Sequence, residues 1–167
     1  MIDLFRANFR YFCTIYDTQG RERDRWVMDN LIPDEGVLYW ISSGLRGGTQ
    51  ISTWYISLFS GVYTPTATVT AATYNSLATE VISAYDETNR PTLIPDPAGG
   101  LTYANIASPA IFTFNTQTTV RGAAVHSVAT KGGTTGVLLS CTGAPSPKTV
   151  DAGEELKVIA GLGLVNA

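Results

Sequence analysis

Charged side chains are scarce in this chain. Of its 167 residues only 15% are Asp, Glu, Lys or Arg, against about a quarter in an ordinary globular protein. The formal net charge is −3, and the most basic stretch, residues 21–25, alternates the two signs. Non-specific nucleic-acid binding needs a basic surface that neutralises phosphates. We therefore expect no nucleic-acid partner and interpret residues 21–25 as a solvated strand face.

Cysteine and histidine, which form most metal and nucleophilic sites, are also rare. Cys13 and Cys141 are the only cysteines and lie far apart in apolar runs, which predicts buried free thiols and no disulfide framework. His126 is the only histidine, so any Ser–His or Cys–His site would have to use it. This set does not match the ligand spacing of a zinc site. We expect no metal, no cofactor and no catalytic residue, and we expect His126→Ala to leave every activity unchanged.

Other functional patterns are equally weak. Residues 132–136 are rich in glycine, but they lack the Gly-Lys-Ser/Thr end of a phosphate loop and precede a predicted strand. The acids lie at turns or at the starts of elements, which does not favour a paired-carboxylate glycosidase. The longest apolar run, residues 37–41, is too short to span a bilayer. No apolar segment of a secretory signal follows Met1, so we expect no membrane partner and assembly in a reducing cytoplasm.

An alternating pattern opens the chain. Phe5, Phe9 and Tyr11 fall on one face of the first segment, and mostly polar residues fall on the other. A period of two predicts a half-buried strand. A turn that ends at Gly20 leads into a second strand. We therefore predict a β-hairpin over residues 1–30, which either packs on the rest of the chain or projects from it as an arm.

Residues 31–167 are predicted to form the body. A helix is expected near residues 33–44, because Pro33 and two acids suit a helix start and apolar residues repeat at helical spacing from Val37 to Leu45. Eight to ten short strands, with turn residues about every ten positions, predict an all-β (mainly β) fold. The expected architecture is a jelly-roll-like antiparallel β-sandwich with this one short helix.

Three weaker segments carry their own expectations. The Thr/Ala-rich connection from residue 61 to 79 is predicted to hold one helical turn near residues 71–77. Residues 143–148 contain two prolines and are predicted to be a loop. The last strand is predicted over residues 154–160, and a short apolar tail follows it.

Six short patterns stand out between Trp26 and Ala160. They are Gly47–Gln50 with Trp54, Tyr55 and Leu58; Tyr85–Glu87 with Arg90 and Pro91; Asn105 and residues 107–110 with Phe112; Gly122 with Ala123; Lys131–Gly136; and Asp151 with Gly153, Leu156 and Val158. In this order and spacing they resemble small structural proteins of tailed phages. The first 25 residues lie outside the resemblance.

The resemblance implies a virion protein, and in particular a capsid cement or decoration protein. Such a protein has a jelly-roll-like body and binds the outer surface of the shell at joints between capsomers. The expected partner is then the major capsid protein, with self-association as a dimer or trimer. The expected location is the virion capsid, after assembly in the host cytoplasm. No catalytic motif transfers, so we do not expect an enzyme.

Two alternatives stay open. A tail, neck or fibre-attachment component would form a ring or trimer with few copies in each particle. A carbohydrate-binding module belongs to another class and would need exposed aromatic side chains in a groove. Tyr63, Tyr74 and Tyr103 are the candidates for such a groove.

Partner contacts are expected mainly in the N-terminal hairpin, because its alternating strands exceed what one small body needs. The residues expected to make them are Phe5, Phe9, Tyr11, Arg21, Arg23, Arg25 and Trp26. If so, deletion of residues 1–30 would abolish particle binding while the remainder stays folded.

Overall fold

The structure, a computed structural model, describes the backbone of residues 5–29, 31–97 and 102–166 and the side chains of residues 9–29, 31–97 and 102–163. It is mainly β. The elements in chain order are β1 (Phe5–Tyr16), β2 (Glu22–Asp29), α1 (Asp34–Leu45), β3 (Trp54–Phe59), α2 (Ala71–Ala78), β4 (Thr92–Leu93), β5 (Thr102–Ala104), β6 (Ala110–Thr113), β7 (Thr118–His126), β8 (Leu138–Val150) and β9 (Glu155–Asn166).

Two antiparallel sheets form a sandwich, as predicted for an all-β chain. The five-stranded sheet has the order β2-β1-β9-β5. Strand β6 also pairs with β9, at residues 155–158, whereas β5 pairs with residues 161–163. The four-stranded sheet has the order β4-β3-β7-β8. The inner faces of both sheets supply the main core, in which Phe9, Ile56, Phe112 and Leu156 are fully buried.

The N-terminal hairpin is part of this sandwich. Strand β1 pairs with β2 on one side and along its whole length with β9 on the other. The turn is closed by Asp17, whose carboxylate accepts hydrogen bonds from the backbone N–H groups of Gln19 and Arg21, and Gly20 takes a left-handed φ of 76°. Since β1 is a central strand, the arm alternative does not hold. Residues 1–30 and 31–167 do not divide the fold, and deletion of residues 1–30 would also remove part of the core.

Helix α1 occupies the predicted region. It begins after Pro33 with two acids in the first turn and ends at Leu45. Only Gly36 of this helix is buried, and a Cβ there would meet the carbonyl oxygen of Leu139 at 2.5 Å. Gly36 therefore lets the helix lie directly on strand β8.

Helix α2 is longer than the single predicted turn. Thr70 and Thr73 form a capping box at its start, which satisfies backbone N–H groups that a helix leaves free. Tyr74 and Ala78 pack on Phe59 and Leu138 in a second core. Helix α2 thus covers the part of the outer face of the four-stranded sheet that presents Phe59, Ala124 and Leu138.

Two predicted boundaries near the C-terminus are wrong. The prolines of residues 143–148 do not break the chain, because β8 continues through them to Val150. The pairing of β8 with β7 shifts there, from Val120 opposite Lys148 to Gly122 opposite Gly143, so the prolines lie where ladder bonds are interrupted. The expected tail after Ala160 instead extends β9 along β1.

Candidate interaction surfaces

The aromatic residues expected at a partner interface lie in the core. Phe9 and Tyr11 are fully buried, Trp26 is 6% exposed, and the Tyr11 hydroxyl is hydrogen-bonded to Ser140 Oγ at 2.7 Å. They belong to the strand faces that pack on the opposite sheet, so these three side chains are not available to contact a partner. The side chain of Phe5 lies outside the described residues.

The three arginines of the hairpin have different surroundings. Arg23 donates to Glu154 at 2.6 Å and to the carbonyl of Thr149, so it joins the two sheets. Arg21 and Arg25 are 72% and 75% exposed and pair with acids of the same hairpin. Hydrogen bonds from the backbone and side chain of Arg21 hold the pKa of Asp17 below its usual value. Arg21 and Arg25 remain predicted contact residues at the hairpin tip.

An apolar row crosses the outer face of the five-stranded sheet. Val27, Phe12 and Ile159 lie directly opposite one another on three adjacent strands. Phe12 is 45% exposed and Val27 is 44% exposed. We call these three residues the outer row. Sequence reasoning missed it, although Phe12 already interrupts the polar face of β1.

Charged side chains flank the outer row and pair with one another. Arg10 contacts Asp29 at 2.7 Å on one side, and Lys157 contacts Glu155 at 3.7 Å on the other. Pairing within the face leaves little net charge around the apolar row. Such a surface favours a partner that contributes apolar area rather than a strong opposite charge.

A groove of about 460 Å³ opens beside strand β8. Val62, Tyr63 and Pro65 form one wall, and Arg121 and Thr142 form the other. The Tyr63 hydroxyl is buried without a hydrogen-bond partner. Among the described residues, Tyr63 is the one aromatic side chain that lines this groove.

A smaller cleft of about 250 Å³ lies where α1 meets the end of the sandwich. Tyr39, Trp40, Trp54 and Tyr103 supply aromatic walls. The Tyr39 hydroxyl is occupied, since it accepts a hydrogen bond from the backbone N–H of Ile51 at 2.7 Å. Of the three tyrosines proposed for a sugar groove, Tyr103 lines this aromatic cleft and Tyr63 lines the groove beside β8. Tyr74 belongs to α2 and is fully buried.

His126 takes part in a buried polar cluster. Its Nε2 lies 2.8 Å from Ser57 Oγ, which donates to the hydroxyl of Tyr74 at 2.9 Å. His126 Nδ1 has no hydrogen-bond partner, and burial lowers the pKa of the imidazole well below its usual value. Ser57 and His126 are buried, and no carboxylate of the described residues is hydrogen-bonded to the ring, so the pair lacks the third member of a Ser–His–Asp arrangement there.

The two cysteines are free and buried. Burial raises the pKa of Cys141 to about 12, so its thiol stays protonated at neutral pH. Among the described residues, no group of three or more His, Cys, Asp or Glu is arranged to hold a metal ion.

Neither described helix has the length and apolar composition needed to cross a membrane. The chain matches no protein-family model, and no curated protein matches its sequence significantly.

Proposed function

We propose that this chain is a tailed-phage capsid cement protein, which binds the outer surface of the major capsid shell and stabilises it. The observation that carries the proposal is the outer row, an exposed apolar band on a sheet whose opposite face is fully packed. The resemblance of the ordered sequence patterns to phage structural proteins points to the same class. The contact with the shell is then made by the face that presents Phe12 and Val27.

Rigidity supports this assignment. The outer row lies on the central strand β1 and its two neighbours, all joined by continuous pairing. A surface held in this way loses little conformational entropy when a partner covers it. Because a shell offers many equivalent sites, weak individual contacts are sufficient to stabilise it.

The experiment uses purified chain and mature shells from which the native copies have been removed. We expect the double variant Phe12→Ser with Val27→Thr to bind at least about tenfold more weakly, because apolar contact area is lost. Val62→Thr is the matched control, since Val62 is 88% exposed but lines the groove beside strand β8, away from the outer row. Equal binding by the double variant and the wild-type chain would exclude the outer row as the contact surface.

A carbohydrate-binding function is the second candidate, and the aromatic cleft is the observation that favours it. Trp40 is half-buried there and could stack on an apolar face of a sugar ring. Titration with a panel of bacterial surface glycans tests this function. Binding that is lost in Trp40→Ala, with shell binding absent, would replace the cement proposal by this one.

A further inference from the structure

We propose that helix α1 binds the α1 helix of a second copy of this chain, antiparallel and around a two-fold axis near Ile41. This surface is separate from the outer row, and the pairing does not depend on binding to a shell. The proposed pairing specifies which residues make the self-association contact and which symmetry relates the two copies. Four aliphatic side chains form the centre of the contact: Val37, Leu38, Ile41 and Leu45.

These four residues form a stripe on the outward side of α1. Val37, Ile41 and Leu45 are spaced four residues apart and therefore share one face of the helix, with Leu38 beside them. Leu38 is 64% exposed and Leu45 is 83% exposed. Such a stripe normally faces a core or a partner.

The stripe cannot turn towards the body of its own chain. The opposite side of α1 is already packed, with Gly36 against Leu139 and with Tyr39 and Trp40 on the main core. Glu35 also fixes the first turn, since its Oε2 accepts hydrogen bonds from the backbone N–H groups of Ala71 at 2.8 Å and Leu138 at 2.6 Å. The helix thus presents its apolar face in one fixed orientation.

The charges at the two ends of α1 favour a second copy of this chain as the partner that covers the stripe. Asp34 lies at its N-terminal end and Arg46 directly follows its C-terminal end, and both are exposed. Neither forms an ion pair or a side-chain hydrogen bond in the part of the chain that the structure describes. Arg21 and Arg25 of the hairpin, by contrast, are paired. The two charges are therefore available for a partner.

An antiparallel second copy satisfies both charges. Twelve residues of helix span about 18 Å, and the midpoint between Asp34 and Arg46 falls at residue 40, one position from Ile41 on the outward stripe. A two-fold axis there places each Asp34 near the Arg46 of the other copy and places the aliphatic side chains together. A parallel pair would bring like charges together at both ends. Antiparallel packing also aligns the helix dipoles favourably.

At the edge of the stripe, no side chain of α1 keeps the backbone of a second helix away. A Cβ at Gly44 would meet no atom within 4 Å of the chain itself. A glycine at this position lets the partner helix lie close, as small residues do wherever two helices cross tightly.

Charge reversal tests the pairing by sedimentation velocity over a range of chain concentrations. Asp34→Arg and Arg46→Asp should each weaken dimerisation by about tenfold, because every attraction across the axis becomes a repulsion. An equal mixture of the two variants should dimerise again, and the double variant Asp34→Arg with Arg46→Asp should do so alone. If the mixture and the double variant stay as weak as the single variants, the antiparallel arrangement is wrong.

A cysteine at the axis gives a second, independent test. Ile41→Cys should form a disulfide-linked dimer under mild oxidation, because the two copies of residue 41 meet. Leu77→Cys is the control, since Leu77 is a 49% exposed residue of helix α2 and should not cross-link. The native cysteines are buried and do not interfere. Equal cross-linking of both variants, or a chain that stays monomeric at every concentration, would overturn the proposal even if shell binding is intact.

Discussion

At the scale of single residues, one buried ion pair holds the start of the glycine-rich loop over residues 132–136. Arg90 donates to both carboxylate oxygens of Glu80 at 2.7 Å, and neither side chain reaches solvent. Arg90 also donates to the carbonyl of Val128, and the same carboxylate accepts from the backbone N–H of Gly132 at 2.9 Å. The pair stabilises the fold only while both partners are present, because an unpaired buried charge is costly.

Removal of the Arg90 guanidinium should therefore destabilise the chain strongly. We expect Arg90→Leu to lower the free energy of unfolding by about 3–5 kcal/mol, measured by urea denaturation. Arg25→Leu is the control, because Arg25 forms an exposed pair with Glu22 that solvent screens, so its loss should change the free energy of unfolding little. Similar losses in the two variants would show that burial of the pair does not matter.

The buried imidazole of His126 predicts a pH dependence. Burial lowers its pKa in the folded state, whereas the unfolded chain takes up a proton near the usual histidine pKa of 6.5. The unfolded state thus binds more protons in acid than the folded state does. The contribution of the neutral His126 to the free energy of unfolding is therefore fully present above pH 7 and is lost as the pH drops below 6.5. The expected loss at pH 5.5 is on the order of 1 kcal/mol.

Urea denaturation at pH 7.5 and pH 5.5 measures this loss. The chain has no other histidine, so His126→Gln should remove most of the difference between the two pH values. An unchanged difference in the variant would show that another group titrates.

At the scale of elements, close approach between strands depends on Gly122. Gly122 lies on β7 between Phe59 of β3 and Gly143 of β8. A Cβ at this position would overlap the carbonyl oxygen of Thr142 and the ring of Phe59. The glycine therefore lets the Phe59 ring lie across the sheet and pack beneath α2.

Gly122→Ala should push β7 and β8 apart. We expect a loss of about 1–3 kcal/mol, typical of overpacking, measured as a lower midpoint of thermal unfolding. Gly163→Ala is the matched control, because Gly163 is also a strand glycine and its Cβ would meet nothing within 4 Å. Equal midpoints for the two variants would contradict the close approach seen here.

Some elements could be predicted from the sequence because their signal is local. The period of two in β1 and the acids after Pro33 report directly on a half-buried strand and on a helix start. The continuation of β8 through its prolines could not be predicted in this way, because it depends on a register shift against β7. The full length of α2 depends on its own Tyr74, which packs on Phe59 and Leu138 of the four-stranded sheet.

At the scale of the whole molecule, the chain forms three layers: the five-stranded sheet, the four-stranded sheet and helix α2. This arrangement explains why the contact residues were predicted poorly. Alternation marks Phe9 and Tyr11 as one apolar face, but it does not say that the opposite sheet covers that face. The exposed Phe12 and Leu38 become visible only when the neighbours of each strand and helix are known.

Deletion of residues 1–30 tests the three-layer arrangement. Strand β1 lies between β2 and β9, and its inward side chains from Phe9 to Ile15 are fully packed. We expect the truncated chain to lose cooperative unfolding, measured by circular dichroism during heating. A sharp transition near that of the intact chain would show that the hairpin is a detachable arm.

The central proposal is that many copies of this chain bind a capsid surface. If the chain is a virion protein, as proposed, the most direct measurement is its copy number in purified virions, relative to the major capsid protein, together with the position of its density by cryo-electron microscopy. We predict hundreds of copies spread over the outer shell, with the five-stranded sheet facing the capsid. A dozen or fewer copies at one vertex, or none in the particle, would contradict the cement function.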